Sequence, residues 1–370
     1  MIPVSEPLLN GNEKKYLIEC IETGWISSEG PFVKKFEEMF ANYLGVKHAI
    51  AVCNGTAALE VAMFAIDLKP GDEVIMPTFT IISCAFAILR HGGLPVLVDV
   101  EPDTWCMNVE QVKDKITLKT KAIMAVHMYG HPVDMDPIMK LAEKYGLYVI
   151  EDAAQVHGAE YKGKKCGSIG HVNCFSFYAN KIITTGEGGM VVTNDDRLAE
   201  RARLYRNLCF KEGRRFYHEE LGANYRMTNL QAAVGVAQME RIEEFVEIKR
   251  KNAMLYNKLL ADIEGLQLPV EKEWAKNVYW MYGVVLDEKT GLNAEEFANK
   301  LKEKGVATRP FFLGMHEQPV FQKMGLFKGE HYPVAERIAR QGLYLPSGLT
   351  LTEEQIEKVV KAVKEVLEGK

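Results

Sequence analysis

Apolar residues in the first half of the chain form short continuous runs, separated by stretches of helical periodicity. The runs are rich in Val, Ile, Leu and Met and predict strands at 48–53, 73–76, Leu94–Val98, 122–127 and 148–150. The stretches between them predict helices at 57–67, 80–91, 109–115 and Met135–Tyr145. Alternation of this kind predicts an α/β fold, with a mainly parallel sheet covered by helices on both faces.

The second half of the chain carries a different pattern. A long helical stretch follows Asn229 and continues toward Ile263, and we expect it to bridge two domains, at 1–245 and 246–370. The smaller, carboxyl-terminal domain is predicted to be α+β, with strands at 278–286 and 307–312 and a helix at 294–304. Thr352-Glu-Glu-Gln355 is a capping box, which predicts the start of the last helix.

Composition narrows the functional classes. The 370 residues are 47% hydrophobic and 26% charged, as is typical of a globular protein with a large core. A formal net charge of -5 gives no support for nucleic-acid binding. The sequence has no signal-peptide pattern and no apolar run long enough to cross a membrane, so we expect a cytoplasmic protein without membrane contacts.

The seven cysteines show no CxxC pair, and an odd number in apolar segments predicts reduced, mostly buried thiols. Cys166, His171 and Cys174 lie close in sequence but do not make a ligand set, so we expect no metal.

The candidate chemistry lies in two segments, 151–155 and 176–189. Lys181 stands between an apolar stretch and a glycine-rich turn; burial there would lower its pKa and leave a free amine able to attack a carbonyl. Asp152 follows an apolar run and should emerge at the carboxyl end of a strand, although a helix N-cap explains it equally well alone. Together the two residues predict pyridoxal phosphate, with Asp152 holding the protonated ring nitrogen.

Other residues extend this hypothesis. Asn54-Gly55-Thr56 follows a strand and opens a helix, which predicts a phosphate site, although Asn-Gly is also a common turn. The hydroxyl of Ser176 is a second phosphate candidate. Gln155 and His157 could each contact the oxygen on the cofactor ring or satisfy backbone groups.

These motifs, in this order, resemble the DegT/StrS sugar-nucleotide aminotransferases, which have fold type I of pyridoxal phosphate enzymes. The resemblance covers essentially the whole chain and rests on segments 24–28, 54–59, 70–75, 127–130, 151–155, 176–189, 222–226, 308–310 and 345–347.

The resemblance implies roles for single residues. Lys181 would be the Schiff-base lysine, Asp152 the partner of the ring nitrogen and Gln155 that of the ring hydroxyl. The residues implied to bind the phosphate are Gly55, Thr56, Ser176 and, in the neighbouring subunit's site, Asn224. The last contact implies a homodimer with shared active sites.

Two further features bear on the reaction. Related sugar dehydratases carry histidine where this chain has Lys181, so transamination with L-glutamate as donor is expected. The family usually places an aromatic ring over the cofactor, but the aligned residue here is Ile81; either Ile81 or Phe79 would cover the ring, and we favour Ile81.

Three stretches, 25–28, 180–186 and 309–316, resemble GDP-perosamine synthases of lipopolysaccharide O-antigen biosynthesis. The implied acceptor is GDP-4-keto-6-deoxymannose, aminated at C4. Gln155 stands where those enzymes carry glutamate, and UDP- or dTDP-linked 4-keto sugars remain alternatives. The candidate substrate-binding residues are Trp25, Ser27, Ser28 and Asn180, with Arg226, Arg309 and His316 for the diphosphate.

Each of the three diphosphate candidates has a structural alternative, a salt bridge at the surface or at an interface. Two other functional classes are disfavoured. A pyridoxal phosphate-binding regulatory protein would be expected to carry a helix-turn-helix or a basic patch, and neither is visible. An NAD-dependent enzyme would need a GxGxxG motif after the first strand, which is missing.

Overall fold

Parallel strands form the centre of the computed structural model, which describes residues 1–211 and 213–369. Glu212 and Lys370, which fall within the two predicted domains, lie outside the described residues. The strands of the central sheet, numbered in chain order, are β1 (His48–Val52), β2 (Glu73–Pro77), β3 (Leu94–Val98), β4 (Thr120–Val126), β5 (Tyr148–Asp152), β8 (Val172–Ser176) and β9 (Gly189–Thr193).

The order of these strands is β1-β9-β8-β5-β4-β2-β3. Strand β9 runs antiparallel to both of its neighbours, and the other neighbouring pairs are parallel. Six strands therefore point the same way, and their carboxyl ends meet at one edge of the sheet. In α/β sheets that edge is where ligands bind.

Smaller sheets surround the central one. They are built from β6 (Glu160–Tyr161), β7 (Lys164–Lys165) and β13 (Ala275–Lys276); from β10 (Phe210–Lys211) and β11 (Arg214–His218); and from β12 (Leu266–Gln267), β14 (Tyr282–Leu286), β15 (Arg309–Pro310) and β16 (Gly342–Leu345). The last of these sheets belongs to the carboxyl-terminal part of the chain.

Helices cover the sheets. They are α1 (Glu13–Thr23), α2 (Pro31–Leu44), α3 (Gly55–Ala65), α4 (Ser83–Arg90), α5 (Met135–Tyr145), α6 (Asp196–Arg206), α7 (Asn229–Met239), α8 (Ile242–Leu260), α9 (Ala294–Glu303), α10 (Pro319–Lys323), α11 (Pro333–Gln341) and α12 (Glu353–Leu367). Among the described residues, none of these helices combines the length and apolar character needed to span a bilayer.

Two hydrophobic cores organise the molecule, and α8 joins them. Its first turns place Phe245 and Val246 in the core around the central sheet. Farther along, Ala253, Tyr256 and Leu260 pack into the core of the carboxyl-terminal sheet. The helix therefore bridges the two cores.

Most predicted elements are confirmed within a few residues, including Leu94–Val98, Met135–Tyr145 and the capping box at Thr352. The predicted long helix is instead two helices, α7 and α8, separated at Glu240 and Arg241. The break lets α8 leave the central core and reach the second one.

Three other predictions need correction. The predicted helix at 109–115 forms only a short 3-10 helix at Lys113–Lys115: the side chain of Asn108 caps the amides of Glu110 and Gln111, but the backbone is extended again at Ile116, so no α-helix continues. The strand predicted at 307–312 pairs with β16 only at Arg309–Pro310, because the amide of Ala307 donates instead to the backbone oxygen of Ile2. The strand predicted at 278–286 begins at Tyr282.

Candidate active site

The carboxyl-end edge of the central sheet brings the predicted chemical residues together. Ser176 ends β8 and Asp152 ends β5, the neighbouring parallel strand. Val52, the last residue of β1, pairs with Gly189, which also pairs with Ser176. Residues far apart in sequence therefore meet here, in the arrangement that the strand order imposes.

The start of α3 forms an anion cradle at this edge. Asn54 is the N-cap, and its side-chain oxygen accepts a hydrogen bond from the amide of Ala57 at 2.8 Å. The first amides of a helix lack intrahelical acceptors, so those of Gly55 and Thr56 are available to an anion, which the helix dipole also favours. The Thr56 hydroxyl donates to Ser83 Oγ at 2.9 Å, which links the cradle to the start of α4.

Two glycines keep this cradle open. A Cβ on Gly55 would lie 2.7 Å from Cβ of Ser176, so only glycine leaves room between the helix start and that hydroxyl. A Cβ on Gly189 would lie 2.4 Å from the backbone oxygen of Asn54, so β9 can approach the cradle this closely only with glycine at position 189. The glycine-rich turn therefore has a specific steric purpose here.

Asp152 is buried, at 2% exposure, and its carboxylate is held from two sides. The amide of Ala154 donates to Oδ1 at 3.1 Å, and the Cys84 thiol donates to Oδ2 at 3.1 Å. Burial raises the pKa of the Cys84 thiol, and the charge of Asp152 raises it further, so the thiol keeps its proton and stays a donor. No pattern in the sequence indicates this contact.

Glu151, the neighbour of Asp152, anchors the strand end from the other face. It accepts hydrogen bonds from His127 Nε2 at 2.9 Å and from the amides of Gly167 and Ile169, each at 2.7 Å. Burial alone would raise the pKa of Glu151, but the hydrogen bond from His127, with those from the backbone amides, holds it below its usual value. This buried pair fixes where β5 delivers Asp152.

Lys181 lies five residues beyond the end of β8, in a turn that holds it at the same edge. Loss of hydration lowers the pKa of its amine to about 7, although the charge of Asp152 opposes the shift. At neutral pH an appreciable fraction of such an amine is unprotonated and nucleophilic. Its Nζ lies 3.6 Å from the ring centroid of Trp280, a residue that the sequence did not single out.

A depressed pKa alone does not identify the reactive lysine. Burial also lowers the pKa of Lys249, on α8, to about 7. Lys249 donates to the backbone oxygen of Ser347, away from the strand ends of the central sheet. Location beside Asp152 and the anion cradle, not the pKa value, distinguishes Lys181.

The residues predicted to surround the cofactor ring differ in their burial and in the contacts that they already make. Gln155 is buried, and its side-chain oxygen accepts from the amide of Tyr129 at 2.7 Å, so a contact with a ring hydroxyl would have to come from its Nε2 hydrogens. Phe79 is fully buried and packs on Tyr129, Phe311 and Phe312. Ile81, at 38% exposure, is therefore the better placed of the two candidates to cover a ring.

The predicted substrate residues lie on several surfaces. Trp25, at 50% exposure, and Ser27 are exposed. Ser28 and Arg226 line a cavity of about 1230 Å³ beside the β10–β11 hairpin. Arg226 also pairs with Val52 at the end of β1, which connects this cavity to the active-site edge.

Asn224 and Arg309 are exposed, whereas Asn180 is partly buried beside Lys181. His316 is buried, at 4% exposure, and both of its ring nitrogens have partners, Thr78 Oγ1 at 2.8 Å and Glu336 Oε1 at 3.1 Å. This geometry favours the structural alternative for His316. Among the described residues, no group of three or more His, Cys, Asp or Glu side chains is arranged to hold a metal ion.

The arrangement fits pyridoxal phosphate. A helix start with free amides and two hydroxyls suits the phosphate, a buried carboxylate suits the ring nitrogen, and an amine with a pKa near 7 suits the aldehyde. The three features lie at one edge of one sheet. Their chemistry is that of a pyridoxal phosphate site.

Comparison with known proteins agrees with this geometry. A model of the DegT/DnrJ/EryC1/StrS aminotransferase family matches residues 7–364. The chain is 44% identical over 367 residues to the GDP-perosamine synthase of Caulobacter vibrioides, covering 99% of this chain and 98% of that protein. It is 42% identical over 369 residues to the GDP-perosamine synthase of Escherichia coli O157:H7, covering 100% and 99%.

Among solved structures, the aminotransferase from Psychrobacter cryohalolentis matches with a TM-score of 0.93 at 33% identity, covering 99% of both chains. The chain therefore belongs to the DegT/DnrJ/EryC1/StrS aminotransferase family. It is a pyridoxal phosphate-dependent aminotransferase of fold type I, which confirms the fold, the cofactor and the enzyme class predicted from the sequence.

Proposed function

We propose that this aminotransferase moves the amino group of L-glutamate to C4 of GDP-4-keto-6-deoxymannose and forms GDP-perosamine. The full-length identity of 42–44% to two GDP-perosamine synthases is the observation that carries the choice of substrate. A UDP- or dTDP-linked 4-keto sugar is the alternative acceptor, because the cofactor site is the same whatever nucleotide the sugar carries. The product would serve lipopolysaccharide O-antigen biosynthesis in the cytoplasm.

We assign the catalytic roles to Lys181 and Asp152. Bound pyridoxal phosphate supplies an aldehyde to which an amine attaches and an electron-poor ring that accepts negative charge. Asp152 keeps the ring nitrogen protonated, and Cys84 and the Ala154 amide fix the direction of its carboxylate. Lys181, when free, takes and returns one proton, for which a pKa of about 7 is well matched to neutral pH.

The remaining cofactor contacts follow from the cradle. Gly55, Thr56 and Ser176 would bind the phosphate, Gln155 the ring hydroxyl, and Ile81 would cover the ring. Together these contacts would hold the cofactor in a fixed orientation.

Substrate binding would draw on surfaces beyond this edge. Asn224 is exposed, as a residue that reaches the phosphate of a partner subunit must be, and we propose a homodimer with shared sites. Arg226 and Arg309 remain candidates for the diphosphate, and Trp25, Ser27, Ser28 and Asn180 for the sugar nucleotide. The large and small domains are proposed to divide near residue 245, within α8.

A substrate panel tests the proposal. Purified enzyme would be given L-glutamate with GDP-, UDP- and dTDP-linked 4-keto-6-deoxy sugars, and the products identified by mass and NMR. We expect an amine at C4 of the GDP sugar, with much slower turnover of the other two. Preference for a UDP or dTDP sugar would overturn the choice of nucleotide, and no amination of any sugar would overturn the proposed function.

Two lysine variants separate chemistry from folding. Lys181→Ala should abolish turnover while the protein stays folded. Lys249→Met removes the other lysine with a pKa near 7, and it should leave turnover within about threefold of the parent because Lys249 donates to the backbone oxygen of Ser347 and not to a residue of the active-site edge. Full activity in Lys181→Ala would remove the assignment of the catalytic amine.

A further inference from the structure

Trp280 makes two contacts with the segment that carries the proposed catalytic lysine. It is buried, at 4% exposure, and its indole Nε1–H donates to the backbone oxygen of Asn180 at 2.7 Å. The face of the same ring lies 3.6 Å, centroid to nitrogen, from Nζ of Lys181. One side chain thus holds both the backbone before Lys181 and the amine itself.

The chain holds Trp280 in place through a strap, defined here as residues 278–281. The amide of Val278 donates to the backbone oxygen of Gly130 at 3.1 Å, and that of Met281 donates to Tyr129 at 3.4 Å. A Cβ on Gly130 would lie 2.5 Å from the amide nitrogen of Tyr279, so the strap can lie this close only against glycine. The sequence motif that ends in Gly130 thereby acquires a physical reason.

The strap also explains why the strand predicted to begin at 278 begins at Tyr282. The amides of Val278 and Met281 donate to the 129–130 turn, and that of Tyr279 donates to the side chain of Asn277, so these three amides do not pair with a neighbouring strand. The ring of Trp280 stacks near that of Tyr129, with centroids 6.3 Å apart and planes inclined by 28°. Backbone and ring contacts together fix the indole relative to the active-site edge.

The chemistry of this contact concerns the amine when it is free. In a transaminase the lysine alternates between attachment to the cofactor and release, and a released amine on a flexible side chain can move away from the reacting carbon. An aromatic face attracts an ammonium group, more strongly where water is excluded, and Trp provides the strongest such face. Lys181 itself is partly buried, and it is shielded from water on the side where Trp280 and His157, both buried, lie.

We propose that Trp280 is the positioning residue for the Lys181 amine: its indole face receives the amine whenever that amine is released, and its N–H fixes the adjoining backbone. The inference rests on the proposed role of Lys181. The ring touches neither the substrate nor the cofactor in this assignment and acts only through the lysine.

The groups that face the amine set the expected pH behaviour. Loss of hydration lowers the pKa of Lys181, Asp152 raises it, and the neighbouring His157 is held neutral because burial and Lys181 lower its pKa to about 3. The indole face favours the ammonium form and so acts in the same direction as Asp152. Removal of the ring should therefore lower the pKa of the free amine.

The test compares Trp280→Phe, which keeps a ring but loses the N–H, with Trp280→Leu, which loses both. Trp274, partly buried against His131 and Tyr161, provides the matched control Trp274→Leu. Enzyme loaded with pyridoxamine phosphate, in which Lys181 is free, would be methylated with ¹³C-formaldehyde and cyanoborohydride. The methyl resonances of Lys181 are then followed by NMR across pH.

In the parent these resonances should be shifted upfield by the indole ring. Trp280→Leu should remove that shift, and should change the ammonium-to-amine ratio by roughly 2- to 30-fold toward the free amine. Its kcat should fall roughly 10- to 100-fold with little change in KM for L-glutamate, because the amine is misplaced while donor binding is not touched. Trp280→Phe should keep part of the upfield shift, because an aromatic ring remains. Its kcat should nevertheless fall, since the N–H that binds the backbone oxygen of Asn180 is lost.

Parent resonances without an upfield shift would overturn the proposal, as would Trp280 variants that match Trp274→Leu in both pKa and kcat. If Trp280→Leu does not fold, the parent spectrum and Trp280→Phe still decide. Borohydride reduction distinguishes failure of the Trp280 proposal from failure of the proposed function. If reduction attaches the cofactor to Lys181 in the parent and in the variants, the role of the lysine stands even where Trp280 does not position it.

Discussion

The buried amine of Lys249 gives the most quantitative prediction of this structure. Lys249 is 4% exposed, and its Nζ donates to the backbone oxygen of Ser347. Loss of hydration lowers its pKa from 10.5 to about 7. Between those two pH values the unfolded chain binds a proton that the folded chain does not, so the stability of the protein should rise with pH across that window.

Replacement of Lys249 by methionine removes the titratable amine and leaves an unbranched, apolar side chain. With a folded pKa of about 7 and an unfolded pKa of about 10.5, Lys249 contributes about 2.5 kcal/mol more stability at pH 9.5 than at pH 7.5, and Lys249→Met lacks this contribution. Below pH 7 both states are protonated, and the destabilisation by the lysine reaches its full value. The absolute stability of the variant also includes the lost bond to Ser347, so the difference between the two pH values is the quantity to measure.

The assay is denaturant unfolding of parent and variant at both pH values. Lys251→Met, on the same helix but with 68% of its side chain exposed, is the matched control and should follow the parent. Parent and Lys249→Met with the same pH dependence would show that the amine stays protonated in the folded protein. The account of how burial acts on lysines here, including Lys181, would then be refuted.

Three further changes probe the supports of the site. Cys84→Ala removes the thiol that donates to the carboxylate of Asp152 and should weaken cofactor binding about fivefold. Titration of the visible absorption measures this, and Cys84→Ser should retain binding. Gly55→Ala brings a methyl group to 2.7 Å from Cβ of Ser176 and should weaken binding of pyridoxal phosphate at least about tenfold by equilibrium dialysis, with an unchanged fold by circular dichroism. His127→Phe leaves the buried charge of Glu151 without its partner and should destabilise the protein by about 3–5 kcal/mol in denaturant unfolding; a loss below about 1 kcal/mol would show that the backbone amides suffice.

The sequence predicted the centre of the site because that centre depends on where strands end. Asp152 and Ser176 follow apolar runs, and the parallel order of those runs forces their ends to one edge. Gly55 is set by the start of a helix, another local signal. Local patterns were therefore enough for the cofactor.

The supports of the site were missed because they cross long stretches of chain. Cys84 and Asp152 are 68 residues apart, and Trp280 and Asn180 are 100 residues apart, so no periodicity links either pair. His316 shows the converse case: a basic residue in a suggestive motif is buried between Thr78 and Glu336, which favours a structural role. Burial and hydrogen-bond partners, not residue type, decide whether such a residue is available to a substrate.

The most direct test of the central claim locates the attached cofactor. Holoenzyme reduced with borohydride and digested with protease would be mapped by mass spectrometry, which identifies the lysine that carries the cofactor. We expect the peptide containing Lys181 to carry it, and the peptide containing Lys249, whose pKa burial also lowers to about 7, to be free of it. Cofactor on Lys249 or on any other lysine would contradict the central claim.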